Sequence, residues 1–201
     1  MSVNQVTNVD FSIAFLHIGK IITLTDAEKE IFSSLAQVIT IKRKSFLLQE
    51  GQICRYDYFV LKGCLRSFYT DEQRKEHTTL FAIEGWWTGN LKSFVREIPA
   101  EIAIEALETT TVLRLSKLCM EELFMKVPKF ERYFRILLQN RLLAVQDRLF
   151  DHLSAPASEK YKQFSVKYPT MEQRVPLKYI ASYLGITPTY LSRLRKKRMK
   201  A

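Results

Sequence analysis

The chain has 201 residues, 47% hydrophobic and 26% charged, with a formal net charge of +10 and three cysteines. Those proportions are ordinary for a globular protein and leave room for one medium domain plus a small one, or two small ones. Three widely separated cysteines, Cys54, Cys64 and Cys119, exclude a disulfide framework and a cysteine-ligated zinc or iron–sulfur centre.

Residues 1–20 contain Phe11, Ile13, Phe15 and Leu16, a short packed segment. The apolar stretch at 11–24 is broken by His17, Gly19 and Lys20 and follows no basic residue, unlike a secretory signal. No run reaches the length of a membrane span, so a cytoplasmic protein with no membrane partner is expected. Thr25-Asp26-Ala27-Glu28 is a capping box, and Ile31, Leu35 and Val38 follow at helical spacing. The spacing predicts an amphipathic helix of about three turns.

From Ile39 the period shortens. Ile39, Ile41, Phe46 to Leu48, Tyr58, Val60, Leu65, Phe68 and Leu80 fall in short runs separated by turn signals such as Glu50-Gly51-Gln52, Lys62-Gly63 and Glu84-Gly85. A near-alternating stretch at 103–115 ends the series. Several short strands at near-regular spacing predict an antiparallel β sandwich or jelly roll within an α+β chain. Residues 89–94 allow only a helical turn or a loop. Residues 116–126 read as a short helix with Ser116 as its N-cap.

From Lys129 to about Leu153 runs the longest periodic segment, free of Gly and Pro. Phe130, Phe134, Leu138, Leu142, Val145 and Leu149 share one face at spacings of three or four. A helix of about 24 residues is about 36 Å long. Its stripe can pack on the chain's own barrel or on a second copy. Because such a helix overhangs a small barrel, a homodimer through Phe134, Leu138, Leu142, Val145 and Leu149 is expected. Residues 154–158 (SAPAS) form a hinge by composition, 159–167 another short helix, and Tyr168-Pro169 a loop.

Residues 177–197 (LKYIASYLGITPTYLSRLRKK) read as two short helices turning at Gly185. Ile180, Ala181, Leu184, Ile186, Leu191 and Leu194 give each helix a buried stripe; Thr187 offers an N-cap and Pro188 the first helical position. This is the helix-turn-helix pattern whose second helix enters a DNA major groove. From Arg174 onward the chain holds Arg174, Lys178, Arg193, Arg195, Lys196, Lys197, Arg198 and Lys200 and no Asp or Glu. A field of one sign suits a polyanion, and duplex DNA is the expected partner. At 100° per residue, Thr189, Ser192, Arg193 and Lys196 lie opposite Leu191 and Leu194, with Tyr190, Arg195 and Lys197 on the flanks. With Lys178 and the Thr187 cap they form the expected DNA-binding set, Arg193 being suited to a bidentate contact with guanine. An RNA- or membrane-surface-binding protein could use the same basic tail, but neither needs the Ala181/Gly185 packing.

In order and motif, the chain resembles the Crp/Fnr superfamily of bacterial transcription regulators along nearly all its length. Residues 174–197 (RVPLKYIASYLGITPTYLSRLRKK) and 126–134 (KVPKFERYF) look like the branch common in Bacteroidetes. The resemblance implies a jelly-roll sensor of the cyclic-nucleotide-binding type at 1–127, a dimerisation helix at 128–153 and a helix-turn-helix domain at 154–201. It also implies an inverted-repeat operator, with RNA polymerase as a possible further partner. Nucleotide-binding relatives hold the ribose with Gly-Glu and the cyclic phosphate with Arg-Ser or Arg-Thr. At the matching positions this chain has Gly89, Asn90 and Leu91, then Ala100 and Glu101. An alanine beside a carboxylate does not hold a phosphate, so this effector pocket is expected to be degenerate. A nucleotide-responsive regulator with a non-standard pocket stays open as an alternative, and the sequence names no inducer. Trp86 and Trp87 suit either the pocket or the core. A cupin-type metal enzyme needs several histidines inside the barrel; the chain has only His17, His77 and His152. No nucleophile–base arrangement or phosphate loop occurs, so no enzyme, metal or cofactor is expected.

Overall fold

The computed structural model describes residues 4–5 and 10–198. Strand β1 (Asn4–Gln5) and helices α1 (Ser12–Gly19) and α2 (Asp26–Leu35) come first. Then follow β2 (Gln37–Ile41), β3 (Phe46–Leu48), β4 (Tyr56–Lys62), β5 (Leu65–Thr70), β6 (Glu76–Ala82) and β7 (Trp87–Thr88). A short helix α3 (Leu91–Arg96) leads to β8 (Ala103–Ala106) and β9 (Thr110–Ser116). The rest is helical: α4 (Lys117–Lys126), α5 (Lys129–Ser154), α6 (Ala157–Lys167), α7 (Met171–Arg174), α8 (Leu177–Leu184) and α9 (Pro188–Arg198).

The strands form two antiparallel sheets, in orders β1-β2-β9-β4-β7 and β3-β8-β5-β6. Alternation explains how each sheet serves two layers. In β4, Tyr58 and Val60 point into the barrel, while Phe59 and Leu61 point out to α1, α2, α4 and the start of α5. The outer face of the second sheet, through Cys64, Phe81 and Leu107, shares an apolar cluster with Tyr161, Phe164, Tyr168, Ile180, Leu184 and Leu191. Both faces of the barrel are thus covered by helices, which is why the middle of β4, Tyr58 to Leu61, is a continuous buried apolar run.

Local chemistry sets most helix ends. Thr25 and Glu28 close a capping box on α2. Ser116 Oγ accepts the Cys119 N–H at 3.1 Å at the start of α4. Several boundaries differ from the expectation. Val38 belongs to β2, opposite Leu113, because α2 ends at Leu35 and Ala36 is extended. The stretch at 103–115 splits into β8 and β9, which lie in different sheets. The 154–158 hinge shrinks to Ala155 and Pro156, since α5 runs on to Ser154 and α6 starts at Ala157. Residues 171–174 form a helix of their own, and Tyr168, expected in a loop, is only 1% exposed. In the first segment Phe11 and Phe15 pack against Phe32, whereas Ile13 and Leu16 face outward.

Trp86 and Trp87 both serve packing. Trp87 lies against Phe59 and Phe134 and donates its indole N–H to the Tyr133 hydroxyl at 2.9 Å; Trp86 packs on Tyr168. No disulfide joins the cysteines; Cys54 and Cys64 are buried and Cys119 is half-buried.

Candidate nucleic-acid interface and sensor cavity

The C-terminal unit is docked on the barrel by its first helix. Ser182 of α8 accepts the Thr78 N–H at 2.9 Å and donates to the Glu76 carbonyl at 2.9 Å, occupying the open edge of β6. Gly185 ends α8 in the left-handed region at φ +69°, and the Ile186 N–H reaches back to the Ala181 carbonyl at 3.0 Å. Thr187 Oγ1 then accepts the Tyr190 N–H at 3.2 Å, starting α9 as an N-cap.

Only Leu191 of α9 is fully buried among the described residues. Thr189, Tyr190, Arg193, Lys196 and Lys197 are exposed; Ser192 is half-buried and bonds back to the Pro188 carbonyl. Lys178 lies exposed on α8, its ammonium 4.9 Å from the Tyr179 ring centroid. Two of the basic residues have local partners that their sequence neighbourhood does not show. Arg195 pairs with Glu172 at 2.8 Å. Arg174 binds both carboxylate oxygens of Glu84, at 2.8 and 2.9 Å, and also reaches Glu108. Arg174 is therefore a tie between α7 and the barrel rather than part of a free basic field. Lys200 lies outside the described residues.

The α5 stripe divides in two. Phe130 and Phe134 are buried against the chain's own barrel, with Phe134 in contact with Trp87, Phe124 and Tyr133. That corrects the expectation for Phe134, which packs within one chain. Leu138, Leu142, Val145 and Leu149 are 45–60% exposed. Further along, Arg148 donates to the Thr78 and Thr79 carbonyls of β6 and the Tyr183 carbonyl of α8, its guanidinium 4.2 Å from the Tyr183 ring centroid.

The expected effector residues are not brought together. Asn90 is the N-cap of α3, its side chain accepting the Ser93 N–H at 2.8 Å. Ser93, buried behind it, accepts the Cys54 N–H and donates to the Ile98 carbonyl, locking the cassette at 85–103 to the barrel. Ala100 is 3% exposed, inside the barrel cluster with Phe94 and Cys54, and its backbone pairs with Gly51 and Gln52. Glu101 faces solvent and pairs with Lys92. Gly89, Asn90 and Leu91 instead line a cavity of about 670 Å³ walled by α3, α4 and α5.

Two charged residues of that cavity escaped sequence reasoning. Asp57 of β4 lines it, and burial raises its carboxyl to a pKa of about 7, against the opposing pull of Arg141 and the Tyr58 N–H. Arg141 of α5 donates to the Gly89 carbonyl at 3.3 Å. A Cβ on Gly89 would stand 2.8 Å from Asp57 Oδ1, so the glycine makes room for the carboxyl. The three histidines lie apart: His17 meets Tyr133, His77 meets Asp71 and His152 lies beside Gly185. Among the described residues no His/Cys/Asp/Glu group could hold a metal, and no helix is long and apolar enough to cross a membrane.

Residues 38–127 match the family described as the cyclic nucleotide-binding domain. Among curated proteins no sequence relative was found. The c-di-GMP-responsive global regulator CLP of Xanthomonas campestris is 14% identical over 88% of this chain and 92% of its own, with a TM-score of 0.69. FixK2 from Bradyrhizobium japonicum is 19% identical over 82% and 85%, with a TM-score of 0.70. A Crp/Fnr-family transcriptional regulator from Eubacterium rectale is 17% identical over 88% and 85%, with a TM-score of 0.66. Residues 38–127 are thus similar to a cyclic nucleotide-binding domain, and the chain shares the fold of these Crp/Fnr-type structures. CLP and the Eubacterium rectale protein are described as regulators. Within the matched region α3 is capped by Asn90, while the barrel side at Ala100 is filled with hydrocarbon.

Proposed function

We propose that the chain is a homodimeric transcription regulator of the Crp/Fnr type that binds an inverted-repeat DNA operator and has lost the ordinary cyclic-nucleotide contacts. The observation that carries this is the asymmetry of the last two helices: α8 is consumed by packing on β6, whereas α9 offers Thr189, Arg193 and Lys196 to solvent on one capped helix. In this reading Arg193 contacts a guanine edge, with Thr189, Ser192 and Lys196 beside it. Lys178, Tyr190, Lys197 and the start of α9 at Thr187 meet phosphates. Arg195 acts through Glu172, holding α9 to α7. The exposed part of α5, through Leu138, Leu142, Val145 and Leu149, is the proposed seam between copies. Residues 1–127, 128–153 and 154–201 are the corresponding sensor, dimerisation and DNA-binding segments. Ala100 and Glu101 supply neither a cation nor a hydroxyl for a cyclic phosphate, which supports the degenerate reading.

Selection of random duplexes by the purified chain tests the proposal. Recovery of a palindrome with half-sites about 34–36 Å apart, or a multiple of that, is the expected result. Arg193→Ala is expected to cost about 1–3 kcal/mol and to relax preference at one base pair per half-site. Recovery of unrelated sequences, or unchanged base preferences in Arg193→Ala, would count against it. Titration with cyclic AMP and cyclic GMP should show no micromolar binding; a micromolar constant would mean that the domain uses a non-standard nucleotide pocket.

A further inference from the structure

The cavity beside the cassette has a chemistry of its own. Its walls are hydrocarbon: Phe94 from α3, Met120 and Phe124 from α4, Phe134 and Leu138 from α5. Its volume of about 670 Å³ falls in the range of small-molecule pockets, roughly 300–1,000 Å³. Leu91 and Val95 of α3 are 47% and 55% exposed at its rim, apolar surface that an occupant would cover. At the polar end lie Asp57 and Arg141. Ala100 and Glu101, where relatives hold a cyclic phosphate, contribute nothing to this lining.

We propose that this cavity binds an amphiphilic monocarboxylate, with the carboxylate on Arg141 beside Asp57 and the hydrocarbon along Phe94, Met120, Phe124 and Phe134. The guanidinium has five N–H donors and a permanent charge, and a protein hydrogen bond to Gly89 at 3.3 Å leaves most of that capacity unused. Its planar fork matches a carboxylate. Asp57 forms no ion pair among the described residues, and its Oδ1 receives only the neighbouring Tyr58 N–H, at 3.2 Å. Burial holds it where it is readily protonated near neutrality. A protonated Asp57 donates its O–H to an arriving carboxylate, whereas a cationic head would meet Arg141. The groups facing Asp57 are Tyr58 on its own strand, Cys54 before it, and Tyr133 and Arg141 on α5. Lys117 and Glu121 of α4, with Glu131 and Arg135 of α5, stand around the cavity wall. Lys117 is already paired with Glu97. The site goes beyond the DNA-binding reading and is tested without DNA.

The test is calorimetric titration of the full chain with sodium decanoate below its micellar concentration, with decylammonium and decanol as tail-matched controls. Melting-temperature shifts provide a second readout. Decanoate is expected to bind saturably, one per chain, and more tightly than either control. Because the competent form carries a protonated Asp57, affinity should fall about tenfold from pH 6 to pH 8. Arg141→Gln should weaken decanoate by about tenfold or more, with Arg141→Lys intermediate and decanol unaffected. Asp57→Asn should abolish the pH dependence, and Met120→Trp should exclude the tail of all three probes without disturbing the polar end. Each variant is checked for a parent-like melting curve. Three outcomes overturn the proposal: decylammonium binding more tightly than decanoate and lost in Asp57→Asn; decanoate affinity unchanged in Arg141→Gln; or no saturable decanoate response by either readout at pH 6.

Discussion

Burial raises the Asp57 carboxyl to a pKa of about 7. Between the ordinary Asp value, about 4, and that value, the folded chain holds a proton that the unfolded chain releases. This residue alone therefore makes stability fall as pH rises across that window. Asp26, Asp71 and Glu97 act in the opposite sense, because hydrogen bonds from Lys29, His77 and Lys117 hold their pKa values below normal. Their stabilisation is present above the ordinary carboxylate range and is lost as pH falls through the folded values. Burial also lowers the His17 pKa, so its contribution is full above about 6.5 and declines below that. Comparing Asp57→Asn with the parent isolates the one term. The variant should gain on the order of 2 kcal/mol at pH 8, allowing for water reaching the half-buried side chain, and nothing near pH 4. Urea unfolding at the two pH values measures it, and equal gains at both would sink the assignment. Asp57 was legible in principle: it shares the parity of Phe59 and Leu61 on β4, so alternation directs it under the helices. Arg141 gave no such signal, since basic residues are common along α5.

The elements whose ends depend on near neighbours could be read directly from the chain. The Thr25 box, the Ser116 and Thr187 caps and the left-handed Gly185 are chemistry within a few residues. What escaped depends on partners distant in sequence. Arg174 looked like a member of the basic field, yet Glu84 and Glu108 lie 90 and 66 residues away along the chain. Phe134 continued the α5 stripe by period, and only the fold brings Trp87 against it. Ala100 and Glu101 occupied the matching positions of the cassette but part company in space, one into the core and one to solvent. The Arg174 tie has a measurable consequence. Arg174→Ala removes two hydrogen bonds to Glu84 and leaves both carboxylates without that cation. A loss of about 1–3 kcal/mol is expected at neutral pH. It should shrink in acid, once Glu84 is protonated. Gly185→Ala should cost about 1 kcal/mol, because φ there is +69° and the new Cβ would stand 3.2 Å from the His152 ring. Urea unfolding of both variants checks these values; a neutral effect of Arg174→Ala would mean the carboxylates find other partners.

The 26 residues of α5 span about 39 Å and bridge the barrel to the C-terminal unit. Their first turns are buried by the chain itself, and beyond them the apolar stripe is exposed although Arg141 and Arg148 still reach the chain. Leu138, Leu142, Val145 and Leu149 recur at steps of four, three and four, the spacing of a coiled-coil seam. Leu143 and Phe150, 56% and 67% exposed, lie about 100° round the helix from Leu142 and Leu149. The exposed apolar face is therefore wider than a two-helix seam covers, and in the proposed dimer the second copy would bring more than its α5 to close it. Leu142→Glu with Leu149→Glu places like charges in the proposed seam and is expected to give a monomer at micromolar concentration in sedimentation velocity. Phe150→Ala should leave the dimer formed but raise its dissociation constant. The DNA result should follow the assembly state. The monomeric double variant retains α9 unaltered, yet it addresses one half-site and should lose the affinity gained from two. Its log K against log salt slope should fall to about half the parent's, because half as many phosphates are neutralised. By contrast, Lys197→Ala should weaken all sequences alike and reduce the slope by about 1 for each copy bound. If the double variant still sediments as a dimer with the parent's salt slope, the seam lies elsewhere on the chain.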